Sequence, residues 1–355
     1  MVSLLMALSS LLILLSVLPF VQNQHWIFRV AEFIKIQLLT LQLIVVTVTF
    51  FFIGANPVLW FFQGPQLILI GYHVYLLMRY TKFWRTNRHE IKGTASDIIS
   101  VITCNVYQFN KEYDRFINLI RKEKPDIFLT IESNVNWEKA MRVLEEEYPN
   151  HQKVTLENTY GMHFYTKLKI INVCTHYFVS DDLPSIEAEL ETQDGVRFIF
   201  FGVHPPPPSP TEEENSKERD GDLLSVAKKV RDYKLPVVVT GDFNNVAWAK
   251  SSLLFKKTSR LIDARIGRGI LSTFHAKYWF FRVPIDLLFH SSNVIVDQLL
   301  IYPDIGSDHF PLGCTFHIDH HTDEQKDEIK DLESGEKQEV DELIGEGKAE
   351  ESDNR

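Results

Sequence analysis

The sequence predicts an α/β domain carried behind a membrane-embedded N-terminal region, and three observations predict it. From residue 98 onward, short apolar strand patterns alternate with helical ones. One of these strands, Val237-Val238-Val239, is a β-branched run stopped by Gly241, so Asp242 and Asn244 emerge together at its end, where α/β folds keep their chemistry. Ahead of the domain lie three stretches, 3–21, 36–57 and 58–78. The first two carry no charge and the third holds only His73 as a titratable group.

Each stretch is long enough to span a bilayer. The first lacks the basic n-region and small-residue cleavage site of a signal peptide, so it reads as a retained helix, and Gly54-Ala55-Asn56-Pro57 reads as the turn between the second and third. Residues 1–79 are therefore expected to form a membrane region of three transmembrane helices, which makes the lipid bilayer the first partner. Arg79, Lys82, Arg85, Arg88 and Lys92 follow, so 80–97 reads as a basic linker. With three spans, Arg29 and Lys35 fall on the same side as these five, and the other side has no Lys or Arg. The positive-inside rule then places the domain of a multi-pass cell-membrane protein in the cytoplasm.

Within the domain, Ile98 to Asn105 reads as a strand, Lys111 to Lys124 as a helix ended by Pro125, and Asp126 to Ile131 as a second buried strand with Glu132 at its end. Arg197 to Val203 is a further strand that delivers His204, and Pro205 to Pro208 hold the following chain extended. Val283 to Phe289 is an apolar strand with Asp286 inside it. Such an aspartate is costly unless paired, and His309, in Gly306-Ser307-Asp308-His309, is available as its partner. The aromatic run Tyr278-Trp279-Phe280-Phe281 reads as core strand, with an apolar lip touching lipid as the alternative. Cys104, Cys174 and Cys314 have no metal-type spacing and read as core residues.

Charge bears on function. Residues 1–97 carry a net +4, 98–318 a net −4 and 319–355 a net −10. The last segment is rich in Glu, Asp, Lys and Gly and poor in large apolar residues, so it is expected to be a disordered acidic tail. A non-specific nuclease needs a basic surface, which the acidic domain does not offer. Its one basic concentration, Lys250, Lys256, Lys257, Arg260, Arg265 and Arg268, is either a solvated helix face or an anion-binding patch.

Asp242 and Asn244 could share one water or one phosphate oxygen, the Asp as base and the Asn as orienting donor. The same pair also occurs in ordinary turns, because both residues tolerate left-handed backbone. The repeated arrangement of a polar residue at a strand end, at Asn105, Glu132, His204 and Asp242, favours a site. Taken in order with Ile285-Asp286 and Ser307-Asp308-His309, these segments resemble the endonuclease/exonuclease/phosphatase family, which includes deoxyribonuclease I, over residues 98–318. The chain looks most like that family's bacterial membrane-anchored branch. The resemblance implies a four-layer α/β/β/α sandwich of two mostly antiparallel sheets and cleavage of a phosphoester with Mg2+ or Mn2+. It implies Glu132 as main metal ligand with Asp308 close by, and Asp242 as activator of the attacking water. Asn105 and Asn244 would hold phosphate and nucleophile, His309 oriented by Asp286 would stabilise the phosphoryl oxygens, and His204 would stand near the leaving group. Tyr107 stands where abasic-site nucleases have a metal-ligating Asp, His204 where they have a tyrosine, and Leu287 where many relatives have a His. The first two departures point away from DNA repair.

The expectation is thus a membrane-anchored, Mg2+-dependent phosphoesterase acting on a phosphomonoester, pyrophosphate or phosphodiester, preferably of a lipid or isoprenoid. A membrane-tethered nuclease is the alternative within the enzyme class, and a catalytically dead binding or scaffold module the alternative outside it. The membrane-anchored relatives are thought to face outward, so the resemblance opposes the charge rule on the side of the membrane.

Overall fold

The computed structural model describes residues 1–52, 54, 56–84, 98–319 and 325–350. Residues 98–319 contain two six-stranded mixed sheets. The first is built from β1 (Ile99–Asn105), β2 (Ile127–Ile131), β3 (Asn150–Val154), β4 (Met162–Thr166), β11 (Val294–Ile301) and β12 (Leu312–Ile318), in the order β11-β12-β1-β2-β4-β3. The second is built from β5 (Lys169–Tyr177), β6 (Pro184–Glu191), β7 (Arg197–Val203), β8 (Val237–Asp242), β9 (Ile262–Asp263) and β10 (Asp286–His290), in the order β5-β6-β7-β8-β10-β9. Only β1–β2 and β7–β8 pair in parallel. These central strands are apolar almost throughout because both of their faces are covered. Ile99 and Val101 point to the opposite sheet, whereas Ile102 and Cys104 point to the helices. Likewise Phe198, Phe200 and Val238 enter the intersheet core, whereas Ile199, Phe201, Val237 and Val239 face the other way. This period-two division creates three packed interfaces, and hence the expected α/β/β/α order of layers.

Helices α5 (Tyr113–Glu123) and α6 (Val135–Met141) cover the first sheet; α7 (Lys217–Arg231) and α8 (Lys250–Ser259) cover the second. Helix α5 ends where Lys124 takes a left-handed conformation directly before Pro125. The strand expected from Val283 is shorter than its apolar pattern, because Val283 bridges to Phe274 outside the sheet and pairing with β8 starts only at Asp286. Cys174 is exposed on β5, whereas Cys104 and Cys314 are buried.

The N-terminal region departs from the expected three spans. It consists of α1 (Val2–Val17), α2 (Trp26–Phe33), α3 (Lys35–Phe50) and α4 (Trp60–Met78). Among the described residues, only Val2–Phe20 is long and apolar enough to cross a membrane; α2 and α3 qualify only as a pair bent by 71°. The second expected span, 36–57, fails because α3 ends at Phe50 after only 16 residues, and the third because α4 carries Gln63, Pro65, Gln66 and His73. Those polar groups point inward: Gln63, Gln66 and His73 are buried, and Gln42 donates to Ser16 Oγ and meets His73 Nδ1, each at 3.0 Å. Phe51, Phe61, Ile68 and Tyr75 point outward and are strongly exposed. Residue 55 of the expected turn and 85–97 of the basic linker lie outside the described residues.

The acidic tail also differs from expectation, since Glu336–Ala349 forms a helix, α9, docked on α7 and α8. Composition hid this because few apolar residues do the work: Val340, Leu343 and Ile344, with Leu332 before the helix, meet Leu224 and Leu254. Gly221 and Gly347 allow the backbones to approach, and a Cβ at Gly347 would lie 2.7 Å from the Lys217 carbonyl oxygen. Half of the basic concentration is used up here. Lys257 pairs with Glu333 and Glu336 at 2.9 and 2.7 Å, Arg260 with Asp331 at 3.0 Å, and Lys250 with Glu339. Such surface pairs contribute only about 0–1 kcal/mol each, so close packing decides the docking.

Replacing Gly347 with Val should therefore cost about 1–3 kcal/mol through overpacking, and release α9 rather than unfold the sandwich. Limited proteolysis or hydrogen exchange would show residues 336–349 becoming labile first. Unchanged protection there would contradict the close α7–α9 approach.

Candidate active site

Both parallel strand pairs end at the same edge of the sandwich, and four of the eight candidate residues stand at those ends. Asn105 closes β1, Glu132 follows β2, His204 follows β7 and Asp242 closes β8. Gly241 is required before Asp242: its φ is +152°, and a Cβ there would lie 2.0 Å from the Val203 carbonyl oxygen. Glu132 and Asn244 also hold positive φ, of 60° and 46°. Left-handed backbone at side-chain-bearing residues is uncommon and clusters at functional sites.

Seven of the eight predicted residues line one cavity of about 640 Å³: Asn105, Glu132, His204, Asp242, Asn244, Asp308 and His309. The eighth, Asp286, stands behind His309, its Oδ2 at 2.8 Å from His309 Nδ1. Asn105 joins the two sheets by donating from Nδ2 to Glu132 Oε1 at 2.8 Å and to Asp242 Oδ2 at 3.1 Å. Asp242 Oδ1 accepts from the Asn244 backbone N–H at 2.9 Å, and Asp242 Oδ2 lies 3.5 Å from His309 Nε2. The Asn244 side chain donates to the Pro205 carbonyl at 2.9 Å.

Burial and pairing set the protonation states. Burial alone would lower the pKa of His309, but the carboxylates of Asp286 and Asp242 outweigh it and raise the value to about 10, so the ring is an imidazolium at neutral pH. Burial lowers His204 to about 4, leaving a neutral ring that lies tilted by 35° against Tyr160, the ring centres 5.2 Å apart. Asp242 is raised by burial, against the pull of His309. Burial likewise raises Glu132 to about 7, although Asn105 and the Gln108 backbone N–H both donate to it.

The half-buried Glu132 carboxylate faces the cavity beside Asp308, and together their hard oxygens suit a small divalent cation. Ligand atoms of Asp242, Asp286 and His309 also lie within 4.8 Å of one another, a grouping that could hold a metal ion. There, however, the His309 imidazolium already supplies the positive charge, and its Nδ1 is engaged by Asp286. The Glu132 side is therefore the better fit.

Sequence reasoning passed over three supporting residues. Ser307 Oγ donates to the Asn105 carbonyl at 2.8 Å and accepts from the His309 N–H at 3.0 Å, tying two candidates together. Gln108 Nε2 donates to the Glu157 carbonyl at 2.8 Å and its Oε1 accepts from the Thr159 N–H at 2.9 Å, bracing the wall beside Glu132. Buried Arg219 pairs with Asp220 at 2.9 Å and donates to the Asn244 carbonyl at 3.2 Å. Ser307 lay within a quoted motif, but Gln108 and Arg219 carry no sequence signal.

A two-sheet sandwich with carboxylates, amides and imidazoles gathered at one edge defines a phosphoester-cleaving class. The family model for the endonuclease/exonuclease/phosphatase family matches residues 102–309, and the chain belongs to that family. It is accordingly a hydrolase, of a family whose enzymes use divalent metals. No curated protein matches the chain in sequence. Among solved structures, Danio rerio TDP2 complexed with a single-strand DNA product shares 17% identity at a TM-score of 0.53, over 62% of this chain and 99% of that one. The human Nocturnin catalytic domain shares 18% at 0.51, over 62% and 95%. An endonuclease/exonuclease/phosphatase from Bacteroides vulgatus shares 19% at 0.52, over 62% and 99%. At these identities the likeness is one of fold.

The stabilising charge on His309 is present below its unfolded value near 6.5 and is lost as pH rises through about 10. Replacing Asp286 with Asn removes the nearest carboxylate, so the folded value should fall. The alkaline limb of kcat/KM should then move down by about one pH unit or more. An unmoved limb would remove His309 from the titrating role.

Proposed function

We propose that the chain is a Mg2+- or Mn2+-dependent phosphoesterase that cleaves a phosphate ester of a lipid or isoprenoid at a membrane surface. One observation carries the substrate class: the cavity is polar at its floor, yet one wall is apolar and comes from the N-terminal helices. Trp26, Val30 and Phe33 of α2 face it, together with Pro207, Pro208 and Phe274. A phosphate on the polar floor would leave an attached hydrocarbon against α2.

In this reading Asp242 removes the proton of the attacking water, helped by a raised pKa that brings it nearer the working pH. Asn105 and Asn244 orient water and phosphate, the His309 imidazolium faces the phosphoryl oxygens, and neutral His204 stands near the leaving group. Glu132 with Asp308 would hold the cation, whose chemistry is to neutralise charge on the phosphoryl group. Because all of these residues are present and drawn into one cavity, the scaffold reading loses ground.

Membrane attachment is supported by the N-terminal bundle, which exposes large apolar side chains on its outside while burying Gln42, Gln63, Gln66 and His73 among the apolar residues inside. The run Tyr278–Phe281 belongs with it: it is an exposed turn rather than the core strand expected, Trp279 is 78% exposed, and Gln37 of α3 donates to the Phe280 carbonyl at 3.0 Å. These aromatics would lie at the lipid interface. A nuclease reading draws on the TDP2 neighbour, but the basic residues that could meet a polyanion are partly consumed by α9.

With Mg2+, the detergent-solubilised protein should release phosphate or headgroup from lipid phosphates and not degrade DNA. Degradation of DNA alone would overturn the lipid assignment. Asp242→Asn should lower turnover on the order of a hundredfold or more while keeping the fold. Exhaustive chelation should abolish activity, and Mg2+ or Mn2+ should restore it; full activity in EDTA would sink the metal assignment.

A further inference from the structure

A second cavity, of about 320 Å³, lies on another face of α2, between the N-terminal bundle and the catalytic domain. Arg29, Glu32 and Lys35 enter it from the helices, and Trp248 from the domain. Arg29 is nine-tenths buried, and its Nε has no hydrogen-bond partner among the described residues. Lys35 is buried as well; its Nζ sits 5.4 Å from the Tyr72 ring centre and makes no ion pair among the described residues. Glu32 lies in the field of Arg29, Arg219 and Lys35, yet forms no ion pair with any of them among the described residues, and its backbone carbonyl takes the Trp248 indole N–H at 2.8 Å. Lys250 also lines the cavity but is paired with Glu339, whereas neither Arg29 nor Lys35 forms an ion pair among the described residues. Buried cations without partners are costly unless an anion joins them.

The rest of the lining says what kind of anion fits. Phe20, Tyr72 and Leu76 continue the cavity toward the exposed apolar faces of α1 and α4. We propose that this cavity binds the singly charged phosphodiester of an anionic phospholipid, held by Arg29 and Lys35, with its acyl chains along the outside of the bundle. A guanidinium and an ammonium are the side chains that recognise phosphate, and the apolar exit distinguishes a lipid from free phosphate. The site is separate from the catalytic cavity, although α2 walls both.

The test uses the full chain in detergent with Asp242→Asn, so that nothing is turned over and the outcome does not depend on the catalytic reading. Calorimetric titration with dihexanoyl phosphatidylglycerol, dihexanoyl phosphatidylcholine and inorganic phosphate separates the sources. Phosphatidylglycerol should bind about tenfold or more tightly than either of the others, and Lys35→Met or Arg29→Lys should each weaken it about tenfold. Arg29→Lys keeps a cation and an aliphatic stem, so it remains informative if Lys35→Met fails to fold. Phosphatidylcholine binding equal to phosphatidylglycerol, or folded variants that retain the parent affinity, would overturn the site. Inorganic phosphate binding as tightly as phosphatidylglycerol would overturn the lipid assignment.

Discussion

Two aspartates on neighbouring strands, directly opposite each other and buried, are the constraint around which the site is built. Asp242 and Asp286 are register partners in the antiparallel β8–β10 pair, each about 1% exposed. Like charges so placed repel, and the low-dielectric interior screens them poorly. His309 relieves this by lying against both, with one ring nitrogen toward each carboxylate. Its charge is therefore a structural necessity as much as a chemical asset. Ser307 then matters because it fixes the His309 backbone to Asn105 and so ties the β11–β12 side of the first sheet to the second sheet's acids.

The two parallel strand pairs give this arrangement its precision. Because β1–β2 and β7–β8 run in parallel, their ends lie side by side without a hairpin intervening, and polar residues meet where the apolar strands stop. Asn105 can then donate across the sandwich to acids of both sheets. The positive-φ residues at this edge show that the backbone is bent to aim side chains rather than left to relax.

The catalytic domain was largely legible in the sequence. Period-two burial made the strands visible, and each strand ended in a residue whose chemistry made no sense in a core. Asn105, Glu132, His204 and Asp242 were readable for that reason, and Asp286 because a lone acid in an apolar strand demands a partner. Less visible were features that depend on distant chain. Gln108 and Arg219 act through hydrogen bonds to backbone carbonyls, which leave no pattern. The tail looked disordered because composition averages over the few residues that dock it, and hydropathy read α4 as a span without revealing that Gln63, Gln66 and His73 face the other helices. The aromatic run at 278–281 misled for the opposite reason: large apolar side chains argue for burial, yet here they stand exposed.

The contact between the N-terminal helices and the catalytic domain bears on the domain's autonomy. Leu77 and Tyr80 at the end of α4 share a packed cluster with Val246, Trp248, Ile266, Val283 and Ile285, and the Trp26 N–H donates to the Glu214 carbonyl at 3.1 Å. A chain cut at residue 98 would keep every strand and every catalytic candidate. It would also expose that cluster to water and open one side of the cavity that holds the candidate residues. The boundary that sequence drew between the N-terminal region and the domain is thus not a boundary of packing, because the helices before residue 98 share that cluster and wall the cavity.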